Sequence, residues 1–289
     1  SFIIPVYNRP DEVDELLDSL NRQTNKEFEI IIVEDGSQKP CQDIVEKYKG
    51  ELDIHYYFKE NTGPGDTRNY GVSKADGEYI IILDSDCILP HTYLEMVEKS
   101  LQENPCDAFG GPDRAHDSFT DVQKAINYAM TSFFTTGGIR GGKKQMEKFH
   151  PRSFNMGVKR EVYTKLGGFS KMRFGEDIDF SIRIFKNGYR CLLFQNAWVW
   201  HKRRTDFRKF FKQVYNSGIA RINLYKKYPE SLKLVHLLPT LFTIGTLGIL
   251  VLSLFSWYFI LLLLLYSLII FIDSSINNKS VYVGLISVL

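Results

Sequence analysis

Residues 79–86 read YIIILDSD, with aliphatic side chains at Ile80, Ile81, Ile82 and Leu83 followed at once by Asp84, Ser85 and Asp86. The run is continuous rather than alternating, the pattern of a strand covered on both faces. Two more runs share that character, FIIPV at 2–6 and FEIIIVED at 28–35. Helical periodicities lie between them. Val13, Leu16, Leu17 and Leu20 share one face of a helix starting near Pro10 and Asp11, and Leu94, Val97 and Leu101 share one after Pro90. Strands alternating with helices predict an α/β domain with a largely parallel, doubly wound sheet. Such sheets bind ligands beyond the carboxyl ends of their strands. Polar residues gather there: Tyr7 and Asn8 after the first run, Glu34 and Asp35 after the second, Asp84 and Asp86 after the third.

If the strand persists through Asp86, the two carboxylates project to one side, about 6.6 Å apart. At an effective dielectric of 20 they repel by about 2.5 kcal/mol. A divalent cation such as Mg²⁺ or Mn²⁺ removes that repulsion, and such ions commonly take one or two carboxylates together with substrate phosphates. Taken alone, however, Asp-Ser-Asp favours a polar turn and a cap for the helix after Pro90. The preceding NTGPGDTRNYG, residues 61–71, superficially resembles a dinucleotide fingerprint. A fingerprint follows the first strand and opens its helix. Here the glycines follow two strands and lie ahead of Asp84, so the order excludes a dehydrogenase.

The 289 residues are 44% hydrophobic and carry a formal charge of +2, which excludes a disordered or fibrous chain and gives no argument for a nucleic-acid partner. Cys41, Cys87, Cys106 and Cys191 show no metal-binding spacing and read as free thiols of a reducing compartment. The chain opens on SFIIPVYN without an initiating Met and closes inside apolar VYVGLISVL, so both ends read as cut, and no signal peptide is visible.

From Leu234 to Ile272 there is one His, at 236, and no Lys, Arg, Asp or Glu. As one helix this block would be roughly 58 Å long, about twice a ~30 Å hydrocarbon core. The expectation is two membrane helices, near 237–254 and 257–272, with a third beginning near Val281. A buried helical hairpin of a soluble protein is the alternative. The segment before it interleaves Lys and Arg with Phe207, Phe210, Phe211, Tyr215 and Tyr225. A basic amphipathic stretch beside an apolar one suits the anionic cytoplasmic leaflet and places the preceding residues in the cytoplasm. No nucleic-acid recognition motif accompanies it. The division that follows is a domain over residues 1–205, an interfacial segment over 206–233 and a transmembrane region over 234–289.

FIIPVYNR, IIIVEDGS, NTGPGDTRNYG, ADGEYIIILDSD, NMGVKREVYTKLGGF and GEDIDFSIRIFKNGY come in an order that resembles the inverting family 2 glycosyltransferases of the GT-A fold, over most of residues 2–190. The resemblance implies that Asp84 and Asp86 form a DxD motif holding Mn²⁺ or Mg²⁺ against the diphosphate of a nucleotide-sugar, with Asp86 the direct ligand and Asp84 nearer the ribose or the metal's waters. It implies that Pro5, Tyr7 and Asp35 line the base pocket, and that Arg68 contacts base or phosphate. Glu176 and Asp177 correspond to the family's acidic pair, with Asp177 as the base that removes the acceptor proton. Without the resemblance, acids in a first helical turn are explained by the helix dipole. His201, at another strand end, is either a structural residue or a ligand to metal or diphosphate. Lys202, Arg203 and Arg204 either support phosphate or face the membrane. Asn155 and Met156 resemble the acceptor-side strand.

The glycine-rich stretches at 110–121 and 135–155 are either a loop that orders over donor and acceptor or a loose surface connection. The Gln-x-x-Arg-Trp motif of processive relatives is missing, since QVYNS at 213–217 has Asn216 and Ser217 where Arg and Trp would stand. The expected enzyme therefore moves a sugar, with UDP the favoured nucleotide, by single displacement to a lipid-linked or cell-surface glycan. A noncatalytic nucleotide-sugar binder and a processive synthase are the alternatives.

Overall fold

A computed structural model describes residues 1–116, 118–136 and 149–289. The described residues divide into two units, one of residues 1–116 with 149–202, the other of residues 118–136 with 203–289. The first unit begins with β1 (Phe2–Val6), α1 (Pro10–Asn21), β2 (Glu29–Asp35), α2 (Gln42–Tyr48), β3 (Asp53–Lys59) and α3 (Pro64–Val72). It continues with β4 (Tyr79–Leu83), β5 (Cys87–Ile88), α4 (Tyr93–Glu103), β6 (Ala108–Gly110) and β7 (Asp113–Arg114). Helices α5 (Asp121–Thr131) and α6 (Phe133–Thr136) belong to the second unit. The first unit resumes with β8 (Asn155–Lys159), α7 (Arg160–Lys165), α8 (Glu176–Lys186), β9 (Cys191–Leu193) and β10 (Val199–His201).

A seven-stranded sheet runs in the order β3-β2-β1-β4-β8-β6-β9, and β8 alone opposes the others. Side chains alternate between two cores. Phe2, Ile4 and Val6 of β1 pack with Leu16, Leu17 and Val45 of α1 and α2. Ile3 points the other way, with Ile31, Val72, Met156 and Phe180 from β2, α3, β8 and α8. Covering both faces demands apolar residues at consecutive positions, which is why these strands read as unbroken runs. β3 escaped the sequence reading. Its DIHYYFK pattern is half-exposed with charges along the run, because β3 lies at the sheet edge. Asp84 and Asp86 therefore follow the fourth strand rather than the third. A second sheet, β5-β10-β7, joins β10 antiparallel to β5 and parallel to β7.

In the second unit α9 (Phe207–Lys227) precedes α10 (Leu238–Ser253), α11 (Ile260–Asn278) and α12 (Val281–Ser287). Among the described residues one helical segment, Trp257–Asn278, is long and apolar enough to cross a membrane. α10 has 16 residues, or ~24 Å, short of a ~30 Å hydrocarbon core. α12 has seven residues. The multi-pass arrangement expected from composition is therefore not supported, because the chain turns after Ser253, before α10 reaches spanning length. Residues 137–148, most of the second glycine-rich stretch, read as either an ordering loop or a loose surface connection, lie outside the described residues.

Gly71 seats α3 on the sheet. A Cβ there would lie 2.6 Å from Cγ2 of buried Ile3 and 3.3 Å from Cγ2 of Val33. Gly71→Ala is expected to cost about 1–3 kcal/mol by overpacking, read as a lower urea midpoint. An unchanged midpoint would mean that α3 can lift from β1 without loss.

Candidate active site

The carboxyl ends of β1, β2 and β4 lie along one edge of the sheet, and the antiparallel pairing of Leu83 with Asn155 brings the start of β8 to the same edge. Backbone constraints shape the rim. Asn8 adopts φ +54° and its Oδ1 accepts from the backbone N–H groups of Gln38 and Lys39 at 2.7 and 3.0 Å. Gly36 adopts φ +70°, and a Cβ there would meet the Asn61 nitrogen at 2.7 Å, so the EDGS turn requires glycine. Asp35 ends β2 buried, accepting from Lys59 Nζ at 2.6 Å and from the N–H groups of Thr62 and Gly63 at 2.9 and 3.0 Å. Burial raises its pKa, but the Lys59 and Thr62 hydrogen bonds outweigh that and hold it below the usual carboxylate range. Pro5 is partly buried and Tyr7 is 52% exposed on the rim.

β4 ends at Leu83, and the next residues turn tightly, with the Cys87 N–H donating to the Asp84 carbonyl at 3.1 Å. Asp84 and Asp86 thus do not share a strand face, as an extended strand would have required. Neither caps α4, whose N-cap is Thr92. Each carboxylate meets a different cation. Asp84 accepts from Arg68 Nη2 at 2.8 Å. Asp86 accepts from Arg9 Nη1 at 2.5 Å and faces His201 Nε2 at 3.1 Å. His201 is brought there by sheet pairing, since β10 sets it opposite Cys87 of β5. Its ring stacks on Phe154 at 4.8 Å. Burial lowers the His201 pKa, while Asp86, with Asp84 and Asp113 beyond it, raises it further, so the net displacement is upward.

Arg68 is the central side chain. It is buried on α3, donating through Nη2 to Asp84 and through Nη1 to Glu176 Oε1 at 3.0 Å. Phe169 lies under the guanidinium at 5.4 Å. In this structure Arg68 bridges the two acidic motifs. Glu176 and Asp177 open α8 immediately after Gly175, which takes a left-handed conformation at φ +85°. Burial pushes the Glu176 pKa up, Arg68 opposes it, and the neighbouring Asp177 adds to the rise. Asp177 is held on both oxygens, by the Ile178 N–H at 2.8 Å and by Arg152 Nε at 2.8 Å.

Asn155 and Met156 reach this edge through their backbone but turn their side chains inward. Both are fully buried. Asn155 accepts from Tyr93 Oη at 2.5 Å and donates to the Ala197 carbonyl at 2.8 Å. Both side chains belong to the core around β8. Sequence reading missed Arg9, Lys59 and Arg152. Arg9 was within reach, since it directly follows the first strand end. Lys59 closes an edge strand that was not recognised, and Arg152 stands three residues before Asn155 with no pattern of its own.

Asp86, Cys87 and His201 offer ligand atoms within 4.8 Å of one another. The Cys87 thiol is buried and its pKa is pushed well up, and it donates to the Phe154 carbonyl at 3.4 Å. It is a neutral thiol, unsuited to a hard cation. The Asp86 carboxylate and the His201 imidazole remain, a donor set that fits Mn²⁺ more readily than Mg²⁺.

A twisted, mostly parallel sheet with acidic motifs at its carboxyl edge defines an α/β fold of the GT-A type. The profile of Glycosyl transferase family 2 matches residues 1–167, and the chain belongs to that family. An uncharacterized glycosyltransferase of Rickettsia bellii is 39% identical over 104 residues, 36% of this chain and 15% of the relative. Poly(ribitol-phosphate) beta-N-acetylglucosaminyltransferase TarS of Staphylococcus aureus is 34% identical over 111 residues, 37% of this chain and 19% of TarS. The chain thus aligns with less than a quarter of these relatives' length. Crystal structures of TarS with UDP-GlcNAc and of the mannosyltransferase PcManGT of Pyrobaculum calidifontis with GDP-Man and Mn²⁺ share the fold. The first has TM-score 0.58 and 20% identity, covering 78% of this chain and 66% of that one. The second has TM-score 0.59 and 19% identity, covering 80% and 64%.

Removing the Arg68 cation leaves two carboxylates facing an apolar stub. Arg68→Met is expected to destabilise the fold by ~3–5 kcal/mol. Adding Glu176→Gln should recover part of that loss in a double-mutant cycle by urea denaturation. Additivity within ~0.5 kcal/mol would show that the two side chains are not coupled.

Proposed function

We propose that this chain is a metal-dependent, inverting transferase that moves a sugar from a nucleotide-sugar to a lipid-linked or cell-surface glycan, one residue at a time. The reading rests on one observation, the Arg68 guanidinium that carries Asp84 and Glu176 together and so sets the donor-side and acceptor-side acids next to each other. UDP is the favoured nucleotide because TarS, the named relative above, was crystallised with UDP-GlcNAc.

Pro5, Tyr7 and Asp35 line the base end of the donor site, and Asp86 with His201, and Asp84 beside them, would hold Mn²⁺ or Mg²⁺. An ion held there would supply positive charge to offset the negative charge on the departing diphosphate. Asp177, oriented by Arg152 and by its own helix, accepts the proton of the acceptor hydroxyl. The acceptor oxygen forms its bond to the anomeric carbon as the bond to the diphosphate oxygen breaks, and the electron pair leaves with the diphosphate. One displacement inverts the anomeric centre, and no covalent enzyme nucleophile takes part. Glu176, held by Arg68, fixes the start of α8 and with it the position of Asp177. Asn216 and Ser217, in place of Arg and Trp, support single additions over processive synthesis.

We further assign residues 1–205 to catalysis on the cytoplasmic side, 206–233 to a membrane-surface segment and 234–289 to membrane attachment. α9 supports this, since basic residues accompany exposed Phe207, Phe211, Tyr215 and Tyr225 along its 21 residues.

Nucleotide release from UDP-, GDP- and dTDP-sugars, with Mn²⁺ or with chelator, tests the assignment on the purified full chain with a lipid-linked acceptor panel. Turnover should require the cation and fall ~10²–10⁴-fold in Asp177→Asn while UDP binding persists, as expected for loss of a general base. Asp86→Ala should lose both. UDP binding without turnover on any acceptor would favour a noncatalytic binder. Full activity in both variants would overturn the roles given to these aspartates.

A further inference from the structure

α10 and α11 form an antiparallel apolar hairpin, with Phe242 packed on Tyr266 at 5.4 Å between ring centroids. No Lys, Arg, Asp or Glu occurs between Leu234 and Ile272, and most of the large apolar side chains of both arms are exposed. The bend at 254–256 is apolar as well. Leu254 and Phe255 are 83% and 84% exposed, followed by exposed Trp257 and Tyr258.

Four backbone N–H groups at this bend donate to carbonyls of the same segment. The N–H groups of Leu254, Phe255 and Ser256 donate to Val251, Leu252 and Leu252 carbonyls, and Phe259 donates to Ser256. The Ser253 hydroxyl donates to the Leu250 carbonyl. Irregular backbone survives in hydrocarbon only when its polar groups are satisfied in this way.

The other end of α11 is tied to protein. Asp273 accepts from Tyr128 Oη of α5 at 2.6 Å and from Ser132 Oγ at 3.3 Å. Tyr266 Oη donates to the Phe134 carbonyl of α6 at 3.1 Å. Val283 and Ile286 of α12 pack with Ala125 of α5. A carboxylate at the bilayer centre is costly, so the level of Asp273 and its hydroxyl partners lies outside the hydrocarbon. Past the Asp273 level, residues 257–272 run roughly 25 Å of helix, of which the Trp257–Phe259 3₁₀ turn and the first six residues of α11 lie beyond the Tyr266 contact. From Phe242 to Ser253 α10 extends ~18 Å past that contact. Each length falls short of a ~30 Å hydrocarbon core.

We propose that the α10–α11 hairpin enters a lipid bilayer from one side, turns inside its hydrocarbon core and returns, without crossing it. The proposal deepens the membrane attachment assigned above and rests on that reading. Basic Lys226, Lys227 and Lys233 precede the hairpin, which suits the anionic headgroups through which it enters. Both ends of the hairpin then stay on the side of entry.

The test uses the full chain added to preformed sealed vesicles of phosphatidylcholine and phosphatidylglycerol. In a Trp198→Phe/Trp200→Phe background, Trp257 fluorescence should be quenched more strongly by lipids brominated near the acyl terminus than by lipids brominated near the headgroup. Ser256→Cys, measured against the labelling of the unmodified chain, should react with a membrane-impermeant maleimide only after detergent is added, whereas Asn277→Cys should react from outside at once. Labelling of Cys at 256 from reagent trapped in the lumen would mean a spanning hairpin and overturn the proposal while leaving membrane attachment intact. Protection of Cys at 277 from outside would mean that α11 crosses alone, with the same consequence. Failure to bind vesicles would overturn both. Nucleotide-sugar turnover is measured separately in detergent, so none of these outcomes bears on the transferase assignment.

Discussion

A parallel sheet whose strands end in acids collects negative charge along one edge, and the arrangement holds only because cations are interleaved with it. Arg68 is the interleaving group on which most depends. Its guanidinium is buried, so it cannot be replaced by water, and its two ends meet acids from distant parts of the chain, Asp84 and Glu176. A planar fork with separate donors can hold two carboxylates at once where a lysine ammonium acts as a point charge. Arg9 with His201 plays the same part for Asp86, Arg152 for Asp177 and Lys59 for Asp35. The spacing of the acids is set by these partners more than by the strand that carries two of them.

This arrangement explains what the glycine-rich NTGPGDTRNYG segment does. It includes the helix that carries Arg68. Gly71 lets α3 lie against β1 and β2, and a Cβ at Gly65 would lie 3.5 Å from Glu176 Cγ and Phe169 Cβ. Asn69 ties the other flank, donating to the Phe169 carbonyl at 2.9 Å and accepting from the Phe169 N–H at 2.8 Å and Tyr163 Oη at 2.6 Å. The segment thus holds the loop before α8 against the sheet, and the approach of Asp177 to the edge follows from packing on α3.

How far the chain could be read in advance depended on whether a feature was local. β1, β2 and β4 were readable because burial on both faces leaves continuous runs, while β3 at the edge carries charges and reads as a connection. α1 and α8 were readable from their apolar faces and first-turn acids. Asp35, Asp84 and Asp86 were noticed from their position at strand ends, and Glu176 and Asp177 were singled out by the family resemblance. Their partners were not, because Arg68 meets Glu176 across 108 residues and Arg9 meets Asp86 across 77. His201 was noticed only as a lone residue at a strand end, and its place beside Asp86 depends on β10 pairing with β5, a two-residue strand no periodicity could reveal. Asn155 and Met156 were placed at the right edge, but the direction of a side chain from an antiparallel strand inserted in a parallel sheet is not contained in the local pattern.

The apolar C-terminal region shows the same limit in another solvent. Hydropathy measures how much chain can leave water, and on that measure residues 234–272 are ample for a membrane. It does not measure where along that length the protein takes hold of the helix again. That is decided by Tyr266 with Phe134, 132 residues apart, and by Asp273 with Tyr128, 145 apart. A tyrosine hydroxyl and a carboxylate that are bonded to protein need no water, but they fix levels at which protein holds the helix, and the length left beyond Asp273 falls short of a bilayer core. In the proposed hairpin the depth of insertion would thus be a tertiary property of α5, α6 and α11, set by polar contacts on a helix whose composition is almost wholly apolar.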